Sequence, residues 1–433
     1  MSIATPSTST AVSPDSSSSS TGPLAVVTTL FFMWGFLTCL NDILVPHLKP
    51  IFDLNYAEVM LIQFAFFGAY FLFSIPSAKV IDWIGYQRSM VVGLLTMGAG
   101  AFLFVPAASV PSFPLFLVAL IVLAAGITCL QVAANPYVTV LGKPETASSR
   151  LNLTQAFNSL GTFLAPFFGG LLILSAAPRT MEEIRSLAPD ALQAYRLHEA
   201  ATVKTPYVGL GIALVVLAIA IGSFKLPKIP HAQHKVGEKV NDSIWKHRNL
   251  ILGAIGIFVY VGAEVSIGSF LVNYFSQPEI GGLTEKVAAS FVAFYWGGAM
   301  VGRFIGSGLL QTMKTGRLLG ICAVCAAALV AISMLSTGHF AMWSIILVGF
   351  FNSIMFPSIF TLGVAELGPL TGDGSGIMIM AIVGGALIPI AQGAIADRIG
   401  IHHAFFLPVI CYLYILFFAV SGSKPNSERH ARS

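Results

Sequence analysis

From residue 23 to the last dozen residues, the chain is written in apolar runs of roughly 20 to 30 residues, separated by short polar breaks. A continuous run of that length crosses the ~30 Å hydrocarbon core of a bilayer as an α-helix, whereas a membrane β-strand needs only ~10 residues of alternating pattern. The pattern therefore predicts helices and excludes a β-barrel. Twelve are expected, near 24–48, 56–83, 88–108, 112–141, 150–176 and 205–225, then 247–275, 284–312, 317–336, 339–365, 374–397 and 401–421. The predicted fold class is an all-α polytopic membrane protein with twelve transmembrane helices. Residues 1–22 are rich in Ser, Thr and Pro with the single charge Asp15, and are expected to form a disordered tail. No basic region precedes the first apolar run, so that run reads as a retained helix rather than a cleaved signal peptide.

One polar stretch interrupts the middle of the chain. Residues 226–246 carry Lys228, Lys235, Glu238, Lys239, Asp242 and Lys246, and read as a linker between six-helix halves at 23–225 and 247–422, with a tail at 423–433. The halves resemble each other. Pro136-Tyr-Val138-Thr-Val-Leu141-Gly142 and Pro357-Ser-Ile359-Phe-Thr-Leu362-Gly363 share the form P-x-[VI]-x-x-L-G, 221 residues apart. Gly161, Pro166 and Gly170 recur as Gly384, Pro389 and Gly393 at a shift of 223. Six helices per copy give both copies the same orientation, so the repeat is parallel. With the N-terminus inside, 16 of the 23 Lys and Arg residues fall on the inner side and 7 on the outer, Arg303 being counted inside. That asymmetry predicts cytoplasmic termini.

Composition agrees with a protein dissolved in lipid: 56% of residues are hydrophobic and 10% charged, against about 25% charged in soluble domains. Mean hydropathy is +0.82. A net charge of +4 over 433 residues makes no basic stripe, so no nucleic-acid partner is expected. The five cysteines lie inside apolar runs, and Cys322-x-x-Cys325 is flanked by Gly320-Ile321 and Ala326-Ala327-Ala328, which favours packing over metal or redox chemistry. His231-x-x-His234 has no nearby ligand set. No metal and no tightly bound cofactor are expected. Gly298-x-x-x-Gly302-x-x-x-Gly306 reads as close helix packing, Asn135-Pro136 as a kink, and Asp82 to Arg88 as a charged latch on the inner face.

An ionisable group in hydrocarbon is costly unless it faces water or a partner, which marks it as a functional candidate. Two carboxylates stand inside helices, Asp42 and Glu264, 222 residues apart. That offset lies close to the repeat, which would set them on opposite walls of one cavity. A desolvated carboxylate holds its proton more tightly, so such a group can bind and release a proton as a cavity opens to each side. Carboxylate oxygen also ligates Na⁺, so the chemistry leaves the coupling ion as proton or sodium. Amides converge as well: Gln131 with Asn135, Gln155 with Asn158, and Asn352 beside Phe356, each pair at helical spacing. Amides donate and accept, and with aromatic faces they suit a neutral polyol ring such as a sugar. The competing reading is that the amides only tie helices together.

Phe31-Phe32-Met33-Trp34 with Leu40-Asn41-Asp42-Ile43-Leu44-Val45-Pro46 resembles the first helix of the fucose–galactose–glucose:proton symporters, a family of the major facilitator superfamily. Ala133-Ala134-Asn135-Pro136-Tyr137 and Arg150-Leu151-Asn152-Leu153-Thr154-Gln155-Ala156-Phe157-Asn158 resemble the same family. The similarity runs from about residue 24 to 420. It implies two parallel six-helix halves and alternating-access sugar symport in a bacterial inner membrane. Asp42 then matches the proton-coupling aspartate, and Gln155 and Asn158 match polar residues lining the sugar cavity. The fucose branch has glutamate where Gln131 stands, glutamine where Glu264 stands and tyrosine where Phe356 stands, so the chain looks more like the glucose/galactose branch. The predicted site is Asp42 and Glu264 for proton coupling, with Trp34, Asn41, Gln131, Asn135, Gln155, Asn158, Glu264, Asn352 and Phe356 for substrate. The partners expected are a hexose (glucose or galactose type, with fucose and N-acetylglucosamine as related cargoes) and the lipid bilayer, with the protein a monomer. Sodium coupling, an uncoupled facilitator and a membrane sugar sensor are the alternatives. An enzyme is disfavoured, because the histidines are scattered.

Overall fold

A computed structural model describes residues 21–52, 56–110, 112–172, 186–202, 204–227 and 243–424; the side chains at 21, 38, 40–52, 56–61, 63, 166–172, 196, 199–202 and 285 lie outside that description. The described chain is helical throughout its spans. The first half contains α1 (Thr21–Phe52), α2 (Tyr56–Ile84), α3 (Tyr86–Ser109), α4 (Phe113–Val140), α5 (Ala147–Leu172), α6 (Pro189–Thr202) and α7 (Lys204–Ser223). The second contains α8 (Arg248–Phe275), α9 (Glu285–Thr312), α10 (Thr315–Leu335), α11 (Gly338–Asn352), α12 (Met355–Gly363), α13 (Thr371–Met380), α14 (Gly384–Ile399), α15 (Ile401–Ala404) and α16 (Phe406–Phe417). Among the described residues, ten helical segments are long and apolar enough to cross a bilayer, and Gly22–Leu37 adds a shorter one within α1. α5 is too polar for that set, with Arg150, Asn152, Gln155 and Asn158 in its first half.

The predicted spans correspond to observed helices, with three interruptions. The tenth span breaks between α11 and α12, at Ser353 and Ile354. Pro357 carries no N–H to return to the Ser353 carbonyl, four residues back, so the helical ladder fails there. The twelfth breaks at Phe405, because Pro408 likewise cannot bond the carbonyl of Ala404. The eleventh tightens into a 3-10 turn over Ala381–Val383. By contrast α4 runs unbroken through Pro136. The apolar pattern did not predict α6. It is a polar helix opened by Pro189, whose fixed φ suits the first helical position, and Asp190, which complements the helix dipole.

Glycines set the closest approaches. Gly161 lies on the carbonyl of Phe32 where α5 crosses α1, and Gly384 lies on the carbonyl of Phe258 where α14 crosses α8; a Cβ at either position would collide with backbone. Gly298, Gly302 and Gly306 pack α9 against Phe350, Ser353 and Ile354, as the G-x-x-x-G spacing predicts.

These paired crossings also fix the register of the repeat. Gly161 and Gly384 differ by 223, whereas Phe32 and Phe258 differ by 226. The expectation that Asp42 and Glu264 occupy equivalent positions is thereby corrected. At an offset of 226, Glu264 corresponds to Thr38, and Asp42 to Gly268, one helical turn away. The physical reason is that connections of different length separate the helices in the two halves, so no single offset holds along the chain.

Candidate functional site

The prolines that the repeat places on α4 and α12 each free one carbonyl, and each freed carbonyl is taken by a side chain. Pro136 frees Val132, whose carbonyl accepts a 2.8 Å hydrogen bond from Ser375 Oγ on α13, in the other half. Pro357 frees Ser353, whose carbonyl accepts 3.2 Å from Arg303 Nε on α9. Arg303 then reaches into the first half: its Nη1 donates to Ser159 Oγ and, at 3.5 Å, to the Gln155 carbonyl, both on α5. Asn152 Nδ2 donates back to the Arg303 carbonyl at 2.7 Å, and Ser149 Oγ to the Ser307 carbonyl at 2.7 Å. Thr315 Oγ1, at the start of α10, donates to Ser148 Oγ at 2.9 Å.

Two seams therefore join the halves. The α5–α9 seam is polar. The α2–α13 seam is close packing: Gly376 lies against Ala78 and the Ser74 carbonyl, and the Asp82 carboxylate lies against Gly372 in the first turn of α13. Both seams lie toward the end of the bundle that carries the α4–α5 and α9–α10 connections and the start of α8.

Above the polar seam is a buried network on the second half. Tyr260 and Glu264 stand one turn apart on α8, and the single Tyr260 Oη proton has two acceptors within reach, Glu264 Oε1 at 2.8 Å and the Asn352 carbonyl at 3.1 Å. Asn352 Nδ2 donates to Tyr295 Oη at 2.8 Å. Tyr412 lies beside Asn352. The first half repeats one part of this network. Gln131 Nε2 donates to Tyr70 Oη at 2.6 Å, so each half holds a buried amide on a tyrosine, at offsets of 221 and 225.

The structure gathers the predicted residues unevenly. Glu264 and Asn352 share one network. Gln155 joins it through Arg303, with its Nε2 buried and unpartnered. Asn135 is fully buried, and neither of its amide atoms has a partner. Asn158 Nδ2 donates to the Phe31 carbonyl at 2.9 Å, tying α5 to α1, as the helix-tying reading expects. Trp34 is buried against Phe31, with ring centroids 4.9 Å apart. Phe356 is half-buried and stacked on Phe360. Asn41 and Asp42 lie on α1, but their side chains fall outside the described residues, as does His47.

Tyr70, Tyr260, Tyr295, Tyr412 and Arg303 were not predicted. Arg303 was counted among the inner-face charges; it lies instead inside α9, nine residues before its last residue Thr312. The signal was present in Val301-Gly302-Arg303-Phe304-Ile305, a cation flanked by apolar residues on both sides.

Such a layout, two parallel helical halves meeting over a buried polar centre, has known counterparts. The Major Facilitator Superfamily profile matches residues 25–382. This chain belongs to that superfamily. Over 401 residues it is 55% identical to the glucose/galactose transporter of Brucella abortus, covering 93% of this chain and 94% of that one. It is 35% identical over 404 residues to the L-fucose-proton symporter of Escherichia coli K12, covering 92% of each. The crystal structure of the E. coli fucose:proton symporter superimposes with a TM-score of 0.86 at 33% identity, covering 93% of this chain and 98% of that one. A structure of the same symporter in the outward conformation gives 0.84 at 33% identity, over 92% and 97%. As a superfamily member the chain is a membrane transporter, not an enzyme.

Proposed function

We propose that this transporter carries a hexose of the glucose/galactose type into a bacterial cell together with a proton, its two halves rocking about the buried polar centre. The observation that carries the reading is the 55% identity to a glucose/galactose transporter, which extends over 94% of that protein's length. Proton coupling is supported by the similarity to an L-fucose-proton symporter and by a carboxylate inside the membrane span at Glu264. Asp42 and Glu264 are assigned to the proton. Trp34, Asn41, Gln131, Asn135, Gln155, Asn158, Glu264, Asn352 and Phe356 are assigned to the sugar, the unpartnered amides of Asn135 and Gln155 being the polar groups freest to exchange for ligand or water. The charge asymmetry of the connections supports cytoplasmic termini in the inner membrane, with the chain acting as a monomer. Both seams then close the cytoplasmic side, and this conformation faces outward.

The test is the external pH of lightly buffered, de-energised cells as single sugars are added. Alkalinisation with glucose or galactose, lost in Asp42→Asn while sugar exchange persists, is the expected result. Uptake of labelled sugar without a pH change would replace the proton by sodium or by uncoupled diffusion. Glu264→Gln is expected to weaken sugar affinity; unchanged affinity removes Glu264 from the cavity wall.

A further inference from the structure

Away from both seams, a groove of about 490 Å³ runs between α10 and α16 on the outer surface of the second half. Small residues make its floor. A Cβ on Gly320 would only just touch Ala419 and Leu416, each at 3.7 Å, and Gly316 stands on the Ala419 carbonyl. Its walls are apolar and open: Ile321 and Val324 from α10 are nearly half exposed and Val420 more so. Val420 belongs to a single π turn, Phe418–Gly422, that closes α16, and such turns recur at functional sites.

One end of the groove is cationic. Arg317, in the first turn of α10, lines the mouth, is exposed, and has no side-chain partner among the described residues. Lys314 precedes the same helix, and Lys424 follows Ser423, whose hydroxyl lies 3.8 Å from the Cβ position of Gly316. Neither lysine has a side-chain partner among the described residues. Arg317 and Val324 are seven residues apart, so the apolar part extends ~10 Å along α10. That is well within the ~15 Å depth of one leaflet's hydrocarbon.

We propose that this groove binds an anionic phospholipid, with the headgroup phosphate on Arg317 and one acyl chain lying over Gly320 along Val324. An acyl chain fills the space where the two glycines supply no side chain, and a phosphate supplies the charge that the three cations lack. The other candidate occupants fit less well. Residues 425–433 contain no large apolar side chain. A second copy related by a two-fold axis would keep its own mouth in the same leaflet, setting like charges together. The site depends only on the chain's place in a bilayer, so its test stands apart from that of hexose symport.

The experiment is native mass spectrometry of the full chain in detergent, titrated with phosphatidylglycerol or phosphatidylcholine of matched acyl chains, reading Kd for the first lipid bound. Phosphatidylglycerol is expected to bind more tightly. Arg317→Gln is expected to weaken it about fivefold, the scale of one cation beside an anionic headgroup, and to leave phosphatidylcholine unchanged. Arg317→Lys, which keeps the charge, stays within twofold of the parent, as does Lys286→Gln at the opposite end of the bundle. Gly320→Leu, which fills the floor, is expected to weaken both lipids; should it fail to fold, Val324→Trp at the exposed wall blocks the same space. Equal affinity for the two lipids in the parent overturns the proposal, as does Arg317→Gln within twofold of it. Unchanged binding in the groove-filling variant also overturns it. A dimeric parent made monomeric by that variant would place a second copy in the groove instead of a lipid.

Discussion

Replacing Tyr70 or Tyr295 by phenylalanine removes one hydroxyl from each half at positions that the internal repeat makes equivalent. In the first half the loss leaves the Gln131 amide, 2% exposed, without its 2.6 Å acceptor. In the second it leaves Asn352, fully buried, without its 2.8 Å acceptor. A buried donor left unpaired costs about 1–3 kcal/mol, but measured couplings between membrane helices average about 0.6 and reach only about 1.7 kcal/mol. The second range governs here, because the comparison is between folded and unfolded states that both remain in micelles. A coupling of about 1 kcal/mol is therefore expected for each pair, about fivefold in the unfolding equilibrium. The 3.5 Å approach of Tyr295 Oη to the Glu264 carbonyl is too long to add much. The assay is two double-mutant cycles, Tyr70→Phe with Gln131→Leu and Tyr295→Phe with Asn352→Leu, read by SDS unfolding in mixed micelles. Each double variant is expected to be more stable than the sum of its single losses implies, since two apolar partners leave no orphan. Strict additivity in both cycles, with coupling under about 0.2 kcal/mol, would refute the claim that the repeat builds the same bond twice.

Other outcomes test separate parts of the argument. Asn135→Leu replaces two unpartnered amide atoms by an apolar side chain of similar size, so outward-state stability is expected to hold or rise by about 1 kcal/mol; if Asn135 binds sugar, affinity falls in the same variant, and unchanged transport kinetics would leave it a purely structural residue. Asn249 Nδ2 donates to the carbonyls of Leu362, Gly363 and Ala365 at 3.1–3.2 Å, satisfying the end of α12 from the first turn of α8. Asn249→Leu is expected to cost about 2 kcal/mol in unfolding while sugar affinity is unchanged, and a selective loss of affinity at normal stability would contradict this role.

The twelve spans were legible because membrane helices obey one strong rule, apolar length, and tertiary contacts seldom override it. The repeat was legible for the same reason that it matters. Pro136 and Pro357 recur in sequence because each must free a carbonyl at a seam, and the structure fills both, from Ser375 and from Arg303. The relation between Asp42 and Glu264 was not legible, because a sequence offset records connection lengths as well as equivalence, and only the glycine crossings at Gly161 and Gly384 reveal the difference. Arg303 was hidden by a rule that is correct on average. Cations near helix ends mark the inner face, and at nine residues from the end of α9 it was close enough to be counted there. What distinguishes it is a partner 144 residues away, Ser159, and no local pattern encodes a contact between the halves. The break at Ser353, the freed carbonyl and the half-buried cation are one feature: Pro357 creates an acceptor that only a long, forked donor can share with the opposite half. Arginine, with five N–H groups in a rigid plane, satisfies both sides at once, which explains why a charge stands where the equivalent position of the other seam, Ala78 at an offset of 225, needs only a methyl group against Gly376.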